Sequence, residues 1–239
     1  MKEIINARNT PIALAYVGAE YLLNENQKKA YECILERVEK KQPGAFFIDG
    51  PGGTGKTFLY NALLIKVWAS GLTAIPTAAS SIGVSNLPFG QTVQSRFKLP
   101  LDNEESSFCH VPKQSVLAQL LRETSLFIWD EAPMAKKENV EAVDILLQDL
   151  CSTSELFGGK IIVFGGDFWQ VLLILPRRTQ EEAIQSSLVT SHLWPLFENF
   201  HLIENMRSIE DPYFSNFLLK LGDSFSNYQM ILSNFQATW

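Results

Sequence analysis

No stretch of this chain is apolar over the roughly 18 to 20 consecutive residues that a membrane-crossing helix needs, and residues 1–10 carry none of the apolar run of a secretory signal. A soluble intracellular protein with no membrane partner is the expectation. Cysteine is scarce: Cys33, Cys109 and Cys151 are odd in number, far apart and without a CxxC pair, while His110, His192 and His201 are scattered. Disulfide frameworks and zinc sites need paired ligands at close spacing, so the pattern predicts reduced thiols and no structural zinc. Basic charge is also in short supply, with 20 Lys and Arg against 26 Asp and Glu and a formal net charge of -6. Proteins that coat nucleic acid draw on clustered cations, which argues against that class but leaves room for a narrow basic groove. What the chain does have is core-forming material, with 46% hydrophobic against 19% charged residues, enough for one large domain or two small ones.

Short apolar clusters alternate with segments of helical period. Ala45-Phe46-Phe47-Ile48, Leu72-Thr73-Ala74-Ile75, Leu126-Phe127-Ile128-Trp129 and Lys160-Ile161-Ile162-Val163-Phe164 read as buried strands. Pro76 removes a ladder donor and predicts that the second strand stops there. Asn24 is placed to cap a helix running to about Lys40 with Ala30, Cys33, Ile34 and Val38 on one face, and Val140, Val143, Leu147 and Leu150 form a second such stripe. The alternation predicts an α/β fold, a parallel sheet with helices on both faces. Residues 85–110 and 177–191 are longer than most connections in a compact domain and are candidate functional loops. There is no internal repeat and no low-complexity tract, and residues 222–239 have aromatics but no period.

Between the first strand and an amphipathic run lies Gly50-Pro51-Gly52-Gly53-Thr54-Gly55-Lys56-Thr57, a GxxxxGK[ST] phosphate loop in its strand-loop-helix context. Gly52, Gly53 and Gly55 can take backbone angles closed to other residues, so that successive N–H groups converge on phosphate oxygens at the start of a helix. Lys56 would reach the β- and γ-phosphates of ATP, and the Thr57 hydroxyl would ligate Mg²⁺. The third strand ends in Asp130-Glu131, two acids at the carboxyl edge where parallel sheets bind ligands. Asp130 would orient the Mg²⁺ shell and Glu131 would accept the proton of the attacking water. The fourth strand runs into Gly165-Gly166-Asp167-Phe168-Trp169-Gln170. The Gln170 amide could donate to a γ-phosphate oxygen and accept from water, or simply close a turn. Arg207 reads either as a surface ion pair or as a charge stabiliser on the γ-phosphate.

Taken in order, six stretches resemble the Pif-type ATP-dependent DNA helicases of superfamily one. They are Leu23-Asn24-Glu25-Asn26-Gln27, the phosphate loop with Ile48-Asp49, Gln91-Thr92-Val93-Gln94-Ser95-Arg96-Phe97-Lys98-Leu99-Pro100, Ile128-Trp129-Asp130-Glu131-Ala132-Pro133-Met134, Phe157-Gly158-Gly159-Lys160 with Gly165-Gly166-Asp167-Phe168, and Asn205-Met206-Arg207. The resemblance implies a RecA-like P-loop NTPase domain over residues 22–221, after a lead-in at 1–21 and before a divergent tail at 222–239. It implies that Gln27 contacts adenine, that Arg207 reaches the γ-phosphate, and that Thr77, Ser80, Ser81, Thr92, Gln94, Arg96, Phe97 and Lys98 line a path for single-stranded or forked DNA. The residue types agree in part, since Arg96 and Lys98 flank an aromatic and single strands are held by cations and stacking rings. Phe97 is also readable as a core aromatic at a loop end.

The resemblance further implies 5′-to-3′ movement, roles in DNA repair, recombination, the response to DNA damage and telomere maintenance, and a nuclear location with the mitochondrion as the alternative. Departures from the family pattern are specific. Gln94 stands where an imidazole is usual, Trp169 replaces an arginine, and Leu172-Leu173-Ile174 has lost a proline. In Ser80-Ser81-Ile82-Gly83 the glycine and isoleucine are exchanged. Nothing after Gly222 resembles the family's second motor domain, so a one-domain fragment or shortened product is expected. Two other readings stand beside the helicase motor: a non-catalytic remnant that binds ATP or nucleic acid, and an unrelated phosphate-loop ATPase or kinase.

Overall fold

The structure, a computed structural model, describes residues 18–100, 109–167 and 184–206. Six parallel strands make one sheet: β1 (Gly44–Asp49), β2 (Thr73–Ala78), β3 (Gln91–Thr92), β4 (Thr124–Asp130), β5 (Ile161–Gly166) and β6 (Glu198–His201), in the order β3-β2-β4-β5-β1-β6. The central strands read as continuous apolar runs because both of their faces are covered. Phe46, Ile48, Ile128 and Val163 point to one face, while Phe47, Phe127, Trp129, Ile162 and Phe164, offset by one residue, point to the other.

The first face is covered by α1 (Glu25–Lys40) and α2 (Lys56–Ala69). Asn24 caps α1 in a reciprocal box: its Oδ1 accepts from the Gln27 N–H at 2.9 Å, and Gln27 Oε1 accepts from the Asn24 N–H at 3.0 Å. Ala30, Ile34 and Val38 are buried and Cys33 packs at the margin, the face expected from the period. Two short helices, α3 (Ser81–Ser85) and α4 (Val93–Phe97), follow β2 and β3. The opposite face is covered by α5 (Val116–Glu123) and α6 (Lys137–Cys151), with Val140, Val143, Leu147 and Leu150 all buried. Among the described residues no helix is long and apolar enough to cross a membrane.

Three sequence expectations need correction. β2 does not stop at Pro76; it continues to Ala78, with Pro76 opposite Ile128 of β4. Its other neighbour, β3, pairs only with Thr77 and Ala78, so at Pro76 the ladder is one-sided and a missing donor is tolerated. Residues 85–110 are not one long loop, because β3 and α4 lie within them. β6 was not expected at all: its side chains are mostly exposed, and an edge strand held by backbone pairing to β1 leaves no apolar run to read.

The end of β5 is closely packed on two sides. A Cβ on Gly165 would lie 1.5 Å from the Tyr60 hydroxyl of α2, and one on Gly166 would lie 2.2 Å from Cδ of Pro133, in the 3₁₀ turn Ala132–Met134 that follows β4. Glycine is required at both positions because two neighbours occupy the space of the side chain. Gly165→Ala is therefore expected to cost about 1–3 kcal/mol of stability, the usual penalty for overpacking a core. Tyr60→Phe in the same chain should recover part of that loss and not all, since the ring carbon Cζ would still stand 2.7 Å away. Urea unfolding of the two single variants and the double variant checks both the cost and the coupling.

Candidate functional site

The carboxyl edge of β1, β4 and β5 gathers most of the candidate residues. After β1 the chain turns through the glycine loop, whose shape depends on left-handed backbone at Gly53 (φ 94°) and Gly55 (φ 80°). Gly52 is not among the positive-φ residues, so that part of the expectation is corrected. Thr54 is buried and donates its hydroxyl to the Pro51 carbonyl at 2.9 Å, which makes it an internal strut of the loop. Gly55 is the N-cap of α2, which starts with Lys56 and Thr57. The first-turn N–H groups of a helix have no partner in the helix itself, so they and the glycine loop together form an anion-binding cradle.

Several chain segments brace this cradle. Gln27 is almost fully buried; its Nε2 donates to the Thr54 carbonyl at 2.9 Å while its Oε1 completes the α1 cap. The Met206 N–H donates to the Gly53 carbonyl at 2.9 Å, and Asn24 Nδ2 lies 3.5 Å from Met206 Sδ. The Leu202 N–H donates to the Asp49 carbonyl at 2.8 Å. Thus the Leu23-Asn24-Glu25-Asn26-Gln27 stretch and Asn205-Met206, 178 or more residues apart in sequence, meet at one corner of the phosphate loop. Gln170 and Arg207 lie outside the described residues.

Lys56 sits inside the cradle, donating from Nζ to the carbonyls of Gly50 and Pro51, the second at 3.2 Å. Burial lowers its pKa, and the charges of Asp167, Asp130 and Asp49 oppose that shift. Those three acids stand at the ends of β5, β4 and β1. Of the three, sequence reasoning gave a role to Asp130 alone. Asp130 is 8% exposed, and burial raises its pKa from 3.8 to about 6, against the lowering effect of its hydrogen bond from the Glu131 N–H at 2.9 Å. A buried carboxyl with this raised proton affinity, facing a cation, is suited to a metal that arrives with its own anion. Among the described residues no group of three or more His, Cys, Asp or Glu could hold a metal unaided. Asp130 and the Thr57 hydroxyl are the groups that would hold Mg²⁺ together with phosphate oxygens, since Mg²⁺ is commonly bound through one or two carboxylates plus substrate phosphates.

Glu131 leaves β4 in left-handed backbone (φ 56°, ψ 32°) and turns its carboxylate toward α3, where Oε2 accepts from the Ser80 N–H at 3.1 Å. Tyr60, which sequence reasoning passed over, is fully buried below the same edge. Burial and the Asp130 and Asp49 charges push its phenol well above the ordinary value, so it stays protonated.

The expected DNA-facing residues do not form one surface. Ser81 and Lys98 are exposed, Ser80, Thr92 and Gln94 half-buried. Thr92 spends its hydroxyl on capping α4, accepting from the Ser95 N–H at 3.3 Å. Thr77 is 0% exposed and donates to the Ile128 carbonyl at 2.8 Å, which corrects its assignment to the strand path. Phe97 is also 0% exposed, packed on Phe127 and Trp129 at ring distances of 5.7 and 6.1 Å, so it is a core aromatic and offers no face to a base. Arg96, 8% exposed, is likewise drawn into the fold. In the five-residue α4, buried Val93, Arg96 and Phe97 fall at helical spacing on its inner face, and Lys98 just beyond it stays outside.

The family model described as PIF1-like helicase matches residues 22–229. The chain is similar to the ATP-dependent DNA helicase Pif1 of Psychrobacter, 28% identical over 127 residues, covering 52% of this chain and 19% of that protein. It is also similar to the ATP-dependent DNA helicase PIF1 of Trypanosoma brucei brucei, 30% identical over 158 residues, covering 64% of this chain and 15% of that protein. Among solved structures, Bacteroides Pif1 bound to ssDNA matches with a TM-score of 0.69 at 25% identity, over 87% of this chain and 46% of that one. Candida albicans Pif1 matches with a TM-score of 0.69 at 23% identity, over 84% of this chain and 44% of that one. The fold is RecA-like. The chain spans less than a fifth of these curated relatives' length and under half of these solved chains.

The raised Asp130 pKa gives a pH signature. The fold favours the protonated carboxyl, so its stabilising contribution is fully present below 3.8, the ordinary value, and is lost as pH rises through about 6. Compared with Asp130→Asn, the unsubstituted chain should lose on the order of 2 kcal/mol across that window. Urea midpoints of both proteins at a series of pH values measure the difference.

Proposed function

The chain belongs to the PIF1-like helicase family, and on that premise we propose that this domain binds ATP with Mg²⁺ and hydrolyses it in response to single-stranded or forked DNA. The observation that carries the reading is the convergence on one sheet edge of the glycine cradle, Lys56, Asp130 and Glu131. The cradle's N–H groups and Lys56 hold the β- and γ-phosphates, with Lys56 exchanging the Gly50 and Pro51 carbonyls for phosphate oxygens. Mg²⁺, when bound, neutralises charge on those oxygens. Glu131 takes the proton of the water that attacks the γ-phosphorus, while the bond to the bridging oxygen of the departing ADP breaks. Gln27 keeps the adenine-contact role implied by the resemblance, a role its amide would take up by giving up its bonds to the Thr54 carbonyl and the Asn24 N–H. Gln170 and Arg207 keep the roles of γ-phosphate sensor and charge stabiliser, the first read from its amide chemistry and the second supported by the resemblance.

The finer biology is proposed on family grounds: 5′-to-3′ movement, work in DNA repair, recombination, the response to DNA damage and telomere maintenance, and a nuclear or mitochondrial setting. For the DNA path the proposal keeps Ser80, Ser81, Thr92, Gln94 and Lys98, and sets aside Thr77, Arg96 and Phe97 because of their burial.

ATP turnover with and without single-stranded DNA tests the core of this reading. Glu131→Gln should lower turnover about 10²-fold or more, the usual contribution of a general base, and Lys56→Ala should do the same through lost phosphate contacts. Equal turnover in all three proteins would sink the catalytic reading. Retained binding of a fluorescent nucleotide alongside that result would favour a non-catalytic ATP-binding domain.

A further inference from the structure

We propose that the turn between β2 and α3 is a latch that holds Glu131 away from the phosphate loop until single-stranded DNA moves it. The proposal rests on the reading of Glu131 as the proton acceptor. Two contacts make the latch. The Ser80 N–H donates to Glu131 Oε2 at 3.1 Å, and Gly83 leaves the space that the carboxylate fills. A Cβ on Gly83 would stand 2.6 Å from that oxygen and 2.8 Å from Cδ, as well as 2.9 Å from the Ala78 methyl.

The geometry makes this seat specific. Glu131 takes left-handed backbone, a conformation disfavoured for residues other than glycine, so its side chain leaves β4 in a direction that the regular strand would not give it. The turn it meets is held by its own bonds: Ser80 Oγ accepts from the Gly83 N–H at 3.0 Å, and the Ala79 N–H donates to the Asp130 carbonyl at 3.1 Å. The catalytic strand and the turn are thus joined by a main-chain bond at Asp130 and a carboxylate bond at Glu131. In the sheet β2 lies on one side of β4, and β5 and then β1 with its phosphate loop lie on the other, so a carboxylate bonded to the turn after β2 is drawn to the side away from the loop.

The turn also has two sides. Gly83 faces inward to the carboxylate, whereas Ser81 and Ile82 face outward, Ile82 at 78% exposure. A strand laid on the outer side shifts the same few residues that grip the acid on the inner side. Because only the state with Glu131 released can activate water, the latch lowers turnover in the absence of DNA and gives DNA a direct means of raising it. Ser80 and Gly83 are positioning residues in this scheme, acting through Glu131.

The experiment follows the Ser80 amide by ¹⁵N NMR in the whole chain, unsubstituted, as Gly83→Ala and as Glu131→Ala, with and without a single-stranded oligothymidylate. Gly83 has no left-handed φ, so its helical backbone accepts alanine and the strain falls on the Glu131 carboxylate and the Ala78 methyl. Both substitutions should displace the Ser80 resonance in the same direction and hasten its hydrogen exchange, and oligothymidylate should do likewise in the unsubstituted chain. Gly83→Ala should raise DNA-free ATP turnover about tenfold, in line with loss of one charge-assisted hydrogen bond, and shrink the further stimulation by DNA. A Ser80 amide indifferent to Glu131→Ala overturns the latch, even if Gly83→Ala does not fold. A Ser80 amide that responds to the substitutions but not to oligothymidylate overturns it as a DNA-driven device. If the amide responds throughout while no protein turns over ATP, the latch stands and the hydrolysis reading fails.

Discussion

The carboxyl edge of the sheet depends on how closely two chain segments approach the end of β5. Two consecutive glycines let the Tyr60 hydroxyl press on one face of the strand end and the Pro133 ring on the next residue. Through Tyr60 the strand is keyed to α2, the helix that begins with Lys56; through Pro133 it is keyed to the turn that carries Asp130 and Glu131 out of β4. Positioning of Lys56, Asp130 and Glu131 is therefore one packing problem. A close-packed interior transmits such constraints because it has no slack in which neighbours could drift independently.

This packing also explains why two stretches of sequence travel together. Trp129-Asp130-Glu131-Ala132-Pro133-Met134 and Gly165-Gly166-Asp167 lie on adjacent strands β4 and β5, and the proline of the first fills the space left open by the second. Read separately, each was an apolar strand with polar residues at its end. Their dependence on each other appears only when the parallel register brings Trp129 beside Phe164 and so sets Pro133 over Gly166.

The parts of the fold legible in the sequence were those with an unambiguous local signal: the four central strands as apolar runs, the Asn24 cap, the helical stripe of α6 and the glycine loop. The parts that were missed depend on partners far away in sequence. β6 has no apolar run, and β3 is only two residues long. In the segment from Thr92 to Lys98, cations around an aromatic ring suggested a nucleic-acid surface, but a single turn of helix buries Arg96 and Phe97 together, and composition alone cannot say which side of a short helix faces in. Glu131 was identified by type and place, yet its direction could not be, because it depends on a left-handed residue and on a glycine 48 positions earlier in the chain. The exchange of glycine and isoleucine at Ile82-Gly83 was visible, but its meaning waited on finding the carboxylate that lies against Gly83.

The loop carbonyls that accept from Lys56 also affect how the site would let go of its ligand. The ammonium is not waiting exposed; it is already satisfied by Gly50 and Pro51. An incoming phosphate replaces one set of acceptors with another, so the net gain is the difference between two hydrogen-bonded states and falls well short of the bare attraction between opposite charges. When phosphate charge diminishes, the same carbonyls are at hand to take the ammonium back. Enzymes that turn over nucleotide are often limited by release of product, and on the proposed reading a lysine with a resting place inside its own loop would ease that release.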